Sequence, residues 1–231
     1  MPIFYTPNIL KEAELPEEEA RHCTRVLRLK EGDEISLTDG LGNFYKAKIT
    51  LATNKRCLVE IIETITPKAS PFSIHIAMGP TKNMDRNEWM AEKTTEIGLS
   101  ELTFLNCRYS ERRNIKLDRV EKKMVSAMKQ SKTPSLPRLN GLTAFEDFVK
   151  QPFDGQKFIA HCYEKDKQTL KNIYTKGENA LILIGPEGDF SEEEVKLAIE
   201  NDFLPVSLGE NRLRTETAAL FACSIINLLN Q

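Results

Sequence analysis

The stretch that decides the fold is ALILIGPEGDFSEEEV at residues 180–195. Its first five residues, 180–184, are all apolar, which predicts a strand buried on both faces of a parallel sheet. The strand runs directly into the loop Gly185-Pro186-Glu187-Gly188. Ser191 and Glu194 then have the spacing of a capping box, which predicts the start of a helix. Because ligands in open α/β sheets bind at the carboxyl ends of strands, this loop is a candidate binding site.

A second loop of similar character follows in FLPVSLGENRLRTETAALFACSIINLL at residues 203–229. A short strand ends at Leu208-Gly209, and Thr215 or Thr217 opens a long apolar helix. The two glycine-bearing strand ends are about 24 residues apart, and we expect them to lie side by side and form one pocket. Arg214 lies close to Glu216, either as a structural ion pair or as part of that pocket.

The chain between residues 71 and 231 alternates strands and helices. Apolar runs predict strands, and amphipathic segments between them predict helices. The predicted strands are 72–79, 102–106, 157–163 and 180–185, and the first two helices are 83–98 and 116–132. This rhythm predicts an α/β domain with a mostly parallel sheet and helices on both faces.

The first seventy residues have a different, β-rich pattern. Short strands are predicted at 34–39, 44–51 and 57–65, with the turn sequence TDGLGN joining the first two. A helix is predicted to start at Pro16, where three glutamates follow, and to stop at Gly32. The segment TPKASP at 66–71 reads as a linker, so we expect two domains, 1–70 and 71–231.

Composition excludes several classes of protein. The 231 residues are 40% apolar and 29% charged, which is ordinary for a globular chain. No apolar run approaches the roughly 20 residues of a membrane helix, and the N-terminus lacks the pattern of a signal peptide. Five scattered cysteines without a Cys-x-x-Cys pair argue against a disulfide framework or a metal site. We therefore expect a cytoplasmic protein with no metal and no membrane partner.

The net charge of −2 is unevenly distributed, because one segment of the chain is strongly basic. Residues 108–138 carry a net charge of +7, which leaves −9 for the rest of the chain. Such a block indicates either a polyanionic partner or an ordinary solvated helix face. The chain contains neither G-x-x-x-x-G-K-[ST] nor G-x-G-x-x-G, which disfavours a nucleoside triphosphate or NAD site. Glu187 in the first loop would repel phosphates and tolerate a cationic ligand better.

The combination IGPEG-x-FS-x-x-E and LG-x-x-x-LR-x-ETA resembles the SPOUT superfamily of knotted methyltransferases. The type it resembles most is RsmE, which methylates N3 of a uridine in 16S small-subunit ribosomal RNA. The resemblance extends over the segments 21–40, 82–112 and 122–139, so it covers nearly the whole chain. Asp189 stands where this family usually has a further glycine, and Thr133 where an arginine is common.

The resemblance implies a fold and a cofactor. The fold would be an N-terminal PUA-like β-barrel followed by a SPOUT α/β domain whose C-terminus threads a trefoil knot. The cofactor would be S-adenosyl-L-methionine, held largely by backbone groups of the knot loops. Residues 161–164 would form a third wall of its pocket. The positions that match the family's cofactor loops are Leu183, Ile184, Gly185, Gly188, Leu208, Gly209, Asn211 and Leu213.

The resemblance also implies a reaction and partners. Arg214 would stabilise the uridinate anion, and Glu216 would handle the N3 proton. The RNA would be 16S ribosomal RNA, as part of the small ribosomal subunit, and the enzyme would be a homodimer. The candidate RNA-binding residues are Arg21, His22, Arg25, Arg28, Arg108, Arg112, Arg113, Lys129 and Gln130.

Three rival interpretations stay open on the sequence. A non-catalytic RNA-binding or ribosome-assembly protein on a PUA-like barrel would explain the basic residues but not the two glycine loops. Another SPOUT enzyme that methylates a ribose or a different base would share the loops. An ordinary nucleotide-binding α/β enzyme would require the missing phosphate loops.

Overall fold

A computed structural model describes residues 2–53, 55–163 and 167–231 of the chain. They divide into two compact units. The first contains the chain up to Ala69 together with Val125–Leu136, and the second contains Ser70–Met124 and Pro137–Gln231. The sequence assigns Val125–Leu136 to the region after residue 70. The segment packs with the first unit instead, where the Leu136 amide donates to the carbonyl of Gly40.

The first unit is built on a four-stranded sheet in the order β1-β2-β3-β4. Its strands are β1 (Ile3–Tyr5), β2 (Glu34–Thr38), β3 (Phe44–Ala52) and β4 (Cys57–Ile65). β1 runs parallel to β2, and the other neighbours are antiparallel. Alternate residues of β3, Tyr45, Ala47 and Ile49, are buried, as expected for a sheet with one face on a core. The three predicted strands are confirmed, whereas β1 is too short to give a periodic signal.

The helix predicted from Pro16 to Gly32 is much shorter in the structure. α1 spans Glu17–Arg21 and continues as a π-helical turn over His22–Val26. In this turn the Leu27 amide donates to the carbonyl of His22, five residues back. Arg28 follows with a φ of 57° and leaves the helical path. Arg28 therefore lies outside the helical face that the spacing of the basic residues predicts.

The second unit contains a six-stranded parallel sheet in the order β10-β8-β9-β5-β6-β7, which confirms the predicted parallel α/β arrangement. Its strands are β5 (Ile74–Met78), β6 (Glu101–Asn106), β7 (Arg138–Ala144), β8 (Gln156–Ala160), β9 (Ala180–Ile184) and β10 (Leu204–Val206). Every residue of β5 and β9 is buried, as the apolar sequence of β9 predicts. β7 lies at an edge, and its half-buried, glycine-containing sequence gave no strand signal.

Among the described residues, six helices follow β5 along the chain. They are α2 (Met84–Ile97), α3 (Leu117–Ser131), α4 (Phe145–Val149), α5 (Leu170–Ile173), α6 (Glu192–Glu200) and α7 (Thr215–Asn230). α7 packs against α2 and over β5 and β9, whereas α4 and α6 share a core cluster with Leu181 and Leu183. The capping box predicted for Ser191 and Glu194 is confirmed. Within 2–53, 55–163 and 167–231, no helix is both long and apolar enough to cross a bilayer.

The strand register brings four strand ends to one edge of the sheet. Ile184, the last residue of β9, pairs with Met78 of β5 on one side and with Ala160 of β8 on the other. Ala160 pairs in turn with Val206 of β10. The loops that follow these strands therefore emerge together, as required for a binding site in a parallel sheet.

We predict that Gly79→Ala destabilises the second unit. A Cβ atom at Gly79 would lie 2.7 Å from both the backbone nitrogen and Cδ of Pro186, so the loop after β9 would have to shift. We expect a loss of roughly 1–3 kcal/mol in the free energy of unfolding, measured by urea denaturation. Gly141→Ala is the matched control, because its Cβ would approach only Leu117 Cδ1, at 3.4 Å. Equal unfolding midpoints for the two variants would contradict the prediction.

Candidate functional site

A two-lobed cleft lies at the carboxyl edge of the parallel sheet. One lobe, of about 480 Å³, is bordered by the loop after β9 and the start of α7. The other, of about 460 Å³, is bordered by the loop after β10. Both volumes fall within the range of small-molecule sites. The residues that line both lobes are Ala160, Cys162, Arg212, Leu213 and Ala218.

The two glycine loops were predicted to follow neighbouring strands, but their strands are not neighbours in the sheet. β8 lies between β9 and β10, so the end of β8 separates the two loops. Ala160 and Cys162 form the wall that both lobes share, and His161 lines the second lobe. The predicted third wall, residues 161–164, is therefore present as far as Cys162. Glu164 lies outside the described residues.

Six of the eight predicted cofactor residues line the cleft. Ile184 and Gly185 line the first lobe, Leu208, Gly209 and Asn211 line the second, and Leu213 lines both. The other two have packing roles. Leu183 is fully buried in the core cluster of the second unit. A Cβ at Gly188 would lie 2.8 Å from Cβ of Tyr109, so glycine allows this close approach.

Asp189 occupies a backbone conformation that glycine would also adopt, as the family resemblance leads one to expect. Its φ of 65° lies in the left-handed region, which glycine adopts readily and aspartate tolerates. The carboxylate compensates by accepting hydrogen bonds from the amides of Phe190 and Cys162, both at 2.8 Å. The second bond connects the loop after β9 to the end of β8. Asp189 therefore fixes the shape of the shared wall rather than disrupting it.

The rest of the loop after β9 is held by backbone contacts. The Gly79 amide donates to the carbonyl of Ile184 at 2.9 Å, which extends the pairing of β5 with β9 by one residue. Glu187 is exposed, and its carboxylate accepts a hydrogen bond from the Lys82 amide at 2.8 Å. Pro186 packs against Gly79, where no side chain would fit. The loop that lines the cleft is thus held in place by contacts within the chain.

Arg214 and Glu216 both line the first lobe, but they differ in burial. Arg214 is exposed and precedes α7, whereas Glu216 lies in the first turn of α7 with only 6% of its surface exposed. Glu216 forms its ion pair with Arg86, whose Nε lies 3.7 Å from Oε1. The possible Arg214–Glu216 ion pair is therefore replaced by one from α2.

Sequence reasoning missed several lining residues of the first lobe. Arg86 is one of them, because it lies in α2, about 100 positions before the loop after β9, and reaches the cleft only through the packing of α2 on α7. No local pattern marks such a tertiary contact. Sequence reasoning considered Asp189 only as a departure from the family pattern. An aspartate where glycine is expected could have indicated a left-handed backbone position, because both residues adopt that conformation readily. The other missed residues are Ala160, Pro186, Arg212, Thr215 and Ala218.

The predicted RNA-binding residues of the first unit are mostly at its surface. Arg21, His22, Arg25, Arg28 and Gln130 are exposed. Arg21 pairs with Glu17 at 2.5 Å on the same short helix. Lys129 is only 25% exposed and pairs with Glu19, also at 2.5 Å, so an RNA phosphate would have to compete with that carboxylate.

The predicted RNA-binding residues of the second unit have more varied environments. The Arg112 guanidinium donates to the backbone carbonyls of Thr81 and Lys82, which gives it a structural role beside the cleft. Arg108 and Arg113 are exposed and border a separate depression of about 880 Å³. That depression also contains five carboxylates, so its charge is mixed. They are Glu146, Asp147, Glu193, Glu194 and Glu200.

Comparison with known proteins identifies the family. A family profile described as RNA methyltransferase domain matches residues 68–227, and one described as RNA methyltransferase PUA domain matches residues 15–62. The ribosomal RNA small subunit methyltransferase E of Bacillus subtilis is 30% identical over 224 residues, which cover 91% of this chain and 87% of that protein. The chain belongs to this family of RNA methyltransferases, the RsmE type.

Two solved structures of related proteins have the same fold over the full length. A probable rRNA-methyltransferase from Porphyromonas gingivalis superposes with a TM-score of 0.94 at 43% identity, covering 100% of this chain and 98% of the other. A ribosomal RNA small subunit methyltransferase E from Neisseria gonorrhoeae, bound to S-adenosyl methionine, gives 0.89 at 28% identity with the same coverage. The N-terminal unit of this RsmE-type chain is thus PUA-like, and the C-terminal unit is its methyltransferase domain.

We predict that Asp189 suppresses the reactivity of Cys162. Cys162 is the exposed cysteine, but partial burial of its thiol raises its pKa, and the charge and hydrogen bond of Asp189 raise it further. Asp189→Asn removes the charge, so the Cys162 pKa should fall toward its ordinary value and the thiolate fraction should rise. Alkylation by iodoacetamide at pH 8 should therefore be faster. The other four cysteines are buried, so one site dominates the labelling.

The control for this measurement is Asp202→Asn. Asp202 also has a positive φ, 64°, but it does not contribute to the Cys162 pKa. Its variant should label at the wild-type rate, and Cys162→Ser should lack the fast phase. If Asp189→Asn labels no faster than Asp202→Asn, the electrostatic coupling is absent.

Proposed function

We propose that this chain transfers a methyl group from S-adenosyl-L-methionine to N3 of one uridine in 16S ribosomal RNA. The observation that carries the proposal is the two-lobed cleft at the carboxyl edge of the sheet, in a chain of the RsmE family. A non-catalytic RNA-binding protein would have no need of such a cleft. Uridine N3, rather than a ribose or another base, follows from the resemblance to the RsmE type.

The cleft suits the cofactor in size and chemistry. Its apolar lining, with Ile184, Leu208 and Leu213, suits an adenine ring. Its acidic groups, Glu187 and Asp189, suit a ligand with a positive sulfonium and ammonium, and no phosphate-binding loop competes with that assignment. When bound, S-adenosyl-L-methionine supplies a methyl group whose bond to sulfur breaks with its electron pair left on the sulfur.

The residues of the chain must then prepare the uracil ring. N3 carries a proton near neutral pH, and each pKa unit of mismatch adds roughly 1.4 kcal/mol to the barrier. Glu216 would accept that proton, so the N–H electron pair stays on N3 and is available for the new N–C bond. Arg214 would stabilise the negative charge that develops on the ring oxygens. The proton then passes from Glu216 to solvent.

We infer a trefoil knot at the C-terminus of the methyltransferase domain. The support is the family resemblance together with the chain path. β10 lies at the edge of the sheet beside β8, yet α7, which follows it, packs over the central strands β5 and β9. A chain that returns to the centre after an edge strand has the opportunity to thread an earlier loop.

We assign the remaining functions by domain. Residues 1–70 would form a PUA-like β-barrel that binds RNA, and residues 71–231 would carry the catalytic site. The substrate would be the RNA within the small ribosomal subunit, in the cytoplasm. The enzyme would act as a homodimer, as the family resemblance implies.

Mapping of modified uridines by mass spectrometry tests the reaction. In a strain without this gene, one N3-methyluridine of 16S ribosomal RNA should disappear, and the wild-type gene should restore it. If the modification persists, or if a different nucleotide loses its methyl group, the proposed reaction is wrong. Calorimetry of the purified protein with S-adenosyl-L-methionine separates an enzyme from an RNA-binding protein, which would give no heat of binding.

We predict that Arg214→Ala abolishes most methylation without abolishing cofactor binding. Removal of one group that stabilises transition-state charge typically lowers kcat by roughly 100- to 1,000-fold. The variant should therefore fail to restore N3-methyluridine at saturating cofactor, whereas its calorimetric affinity for the cofactor should stay near that of the wild type. Full methylation by Arg214→Ala would remove this residue from the mechanism.

We also predict that Arg25 and Arg28 contribute to RNA affinity by binding phosphates. Both side chains are exposed. In the double variant with glutamine at both positions, the slope of log K against log salt should fall by roughly 0.7–0.9 for each phosphate that the protein no longer neutralises. Lys11→Gln, a change at another exposed cation of the same unit, is the control. An unchanged slope in the double variant would exclude both arginines from the interface.

A further inference from the structure

Glu216 is a buried carboxylate whose hydrogen-bonding capacity is unfilled. Its side chain is 8% exposed. Oε2 is buried, and no described residue donates a hydrogen bond to it. Oε1 faces Arg86 Nε at 3.7 Å, which is beyond hydrogen-bonding distance. The carboxylate thus has a compensating charge nearby but lacks the close donors that a buried anion requires.

Glu194 shows how the same unit satisfies a comparable group. Glu194 is 9% exposed. Its Oε1 accepts from the Arg108 amide and its Oε2 from the Ser191 amide, both at 2.8 Å. Glu19 Oε2 and Glu88 Oε1 are also buried without a hydrogen-bond partner among the described residues, but neither residue lines the cleft. The open acceptor positions of Glu216 are therefore the ones that a ligand in the cleft can fill.

The position of the pair points to a ligand in the first lobe of the cleft. Arg86 lies in the first turn of α2, Glu216 lies in the first turn of α7, and the two helices pack together. Both side chains line the lobe that the loop after β9 borders. Arg86 is 39% exposed, so most of its five N–H donors remain available to a ligand.

The first lobe holds one acceptor group and two donor groups, which is the set that one base edge requires. Glu216 is an acceptor beside the donor Arg86, and Arg214, two residues before Glu216, adds a second guanidinium to the same lobe. The imide edge of uracil presents an acceptor, a donor and an acceptor in O2, N3–H and O4. A carboxylate that accepts from N3–H, with one guanidinium donating to each carbonyl oxygen, would be complementary to that edge. Cytosine presents a donor and two acceptors, so its N3 would oppose the carboxylate with a lone pair.

We propose that Arg86 is a specificity-determining residue that donates to a uracil carbonyl oxygen while Glu216 accepts from N3–H. The proposal rests on the proposed function, because it assumes that the target base is a uracil in this cleft. Arg86 then does two things at once: it keeps a counter-charge beside Glu216 and it selects the base whose N3 carries a proton. The site would exclude cytidine without any contact outside the base edge.

The test is analogous to a double-mutant cycle. It combines a substitution at Arg86 with replacement of one carbonyl oxygen of the uracil by sulfur. Small ribosomal subunits are reconstituted with uridine, 2-thiouridine or 4-thiouridine at the nucleotide found by mass mapping. Sulfur is a poor hydrogen-bond acceptor, so each analogue weakens one carbonyl contact. The effect of sulfur on N3 acidity is the same for every enzyme variant and cancels in the ratio. Methylation is measured at saturating cofactor with the wild-type enzyme, Arg86→Gln, Arg86→Lys and a control.

Arg119→Gln is the matched control. Arg119 also pairs with a buried carboxylate of α2, since its Nη2 lies 2.6 Å from Oε1 of Glu88, whose side chain is 9% exposed. It does not line the cleft as far as the described residues define it. The control variant therefore measures only the loss of stability caused by removing the cation that pairs with a buried glutamate.

We expect Arg86→Gln to lower kcat/KM for the uridine substrate by roughly 10- to 100-fold, as for removal of one charge-assisted hydrogen bond. Arg86→Lys should recover part of that activity. One of the two thio-substituted substrates should slow the wild-type enzyme strongly and the Arg86→Gln variant little, because that variant already lacks the hydrogen bond. Arg119→Gln should keep the wild-type ratio between the substrates.

Three results would overturn the inference. The first is that each thio-substituted substrate slows methylation by the wild-type enzyme and by Arg86→Gln by the same factor. The second is wild-type kcat/KM in Arg86→Gln. The third is a loss of cofactor affinity in Arg86→Gln that accounts for the whole defect, which would assign the pair to the cofactor ammonium. Failure of the proposed function is distinct, because mass mapping would then find no N3-methyluridine to replace.

Discussion

The central position of β9, between β5 and β8, is the constraint on which the site depends. Parallel pairing on both sides aligns Ile184 with Met78 and with Ala160, and the Gly79 amide extends the alignment to the loop. Because every residue of β9 is buried, a shift of register would expose apolar surface and break backbone hydrogen bonds on two sides. The loop after β9 is therefore fixed at its base, and the shape of the cleft follows.

Local sequence patterns predicted the features that depend on neighbouring residues in the chain. The apolar run of β9 and the capping box at Ser191 specify a buried strand and a helix start, and both form as expected. The position of β8 between the two glycine loops follows from strand order, which no local pattern encodes. Arg86 was missed for the same reason, since it reaches the cleft through helix packing. The helix after Pro16 was predicted too long because its π-helical turn leaves the regular spacing.

Asp189 stabilises a left-handed backbone position with hydrogen bonds to its own side chain. Glycine tolerates a positive φ at no steric cost, whereas aspartate incurs a small cost and gains two acceptors. Here those acceptors bond the amides of Phe190 and Cys162. The aspartate thus replaces the freedom of glycine with a specific link between the loop after β9 and the end of β8. The resulting loop is more restricted, which favours a ligand that fits the existing shape.

The acidic groups of the cleft are not equivalent, and this difference assigns their roles. Asp189 accepts from two backbone amides and Glu187 from one, so both contribute charge while part of their bonding capacity is used by the fold. Glu216 is more buried than either and has no such donor among the described residues. A cationic ligand is attracted by the charges of all three carboxylates, even without direct contact. A ligand N–H gains most at Glu216, because there the hydrogen bond replaces none that already exists. We therefore propose that the proton-bearing edge of the substrate binds beside Glu216, and the cationic cofactor beside Glu187 and Asp189.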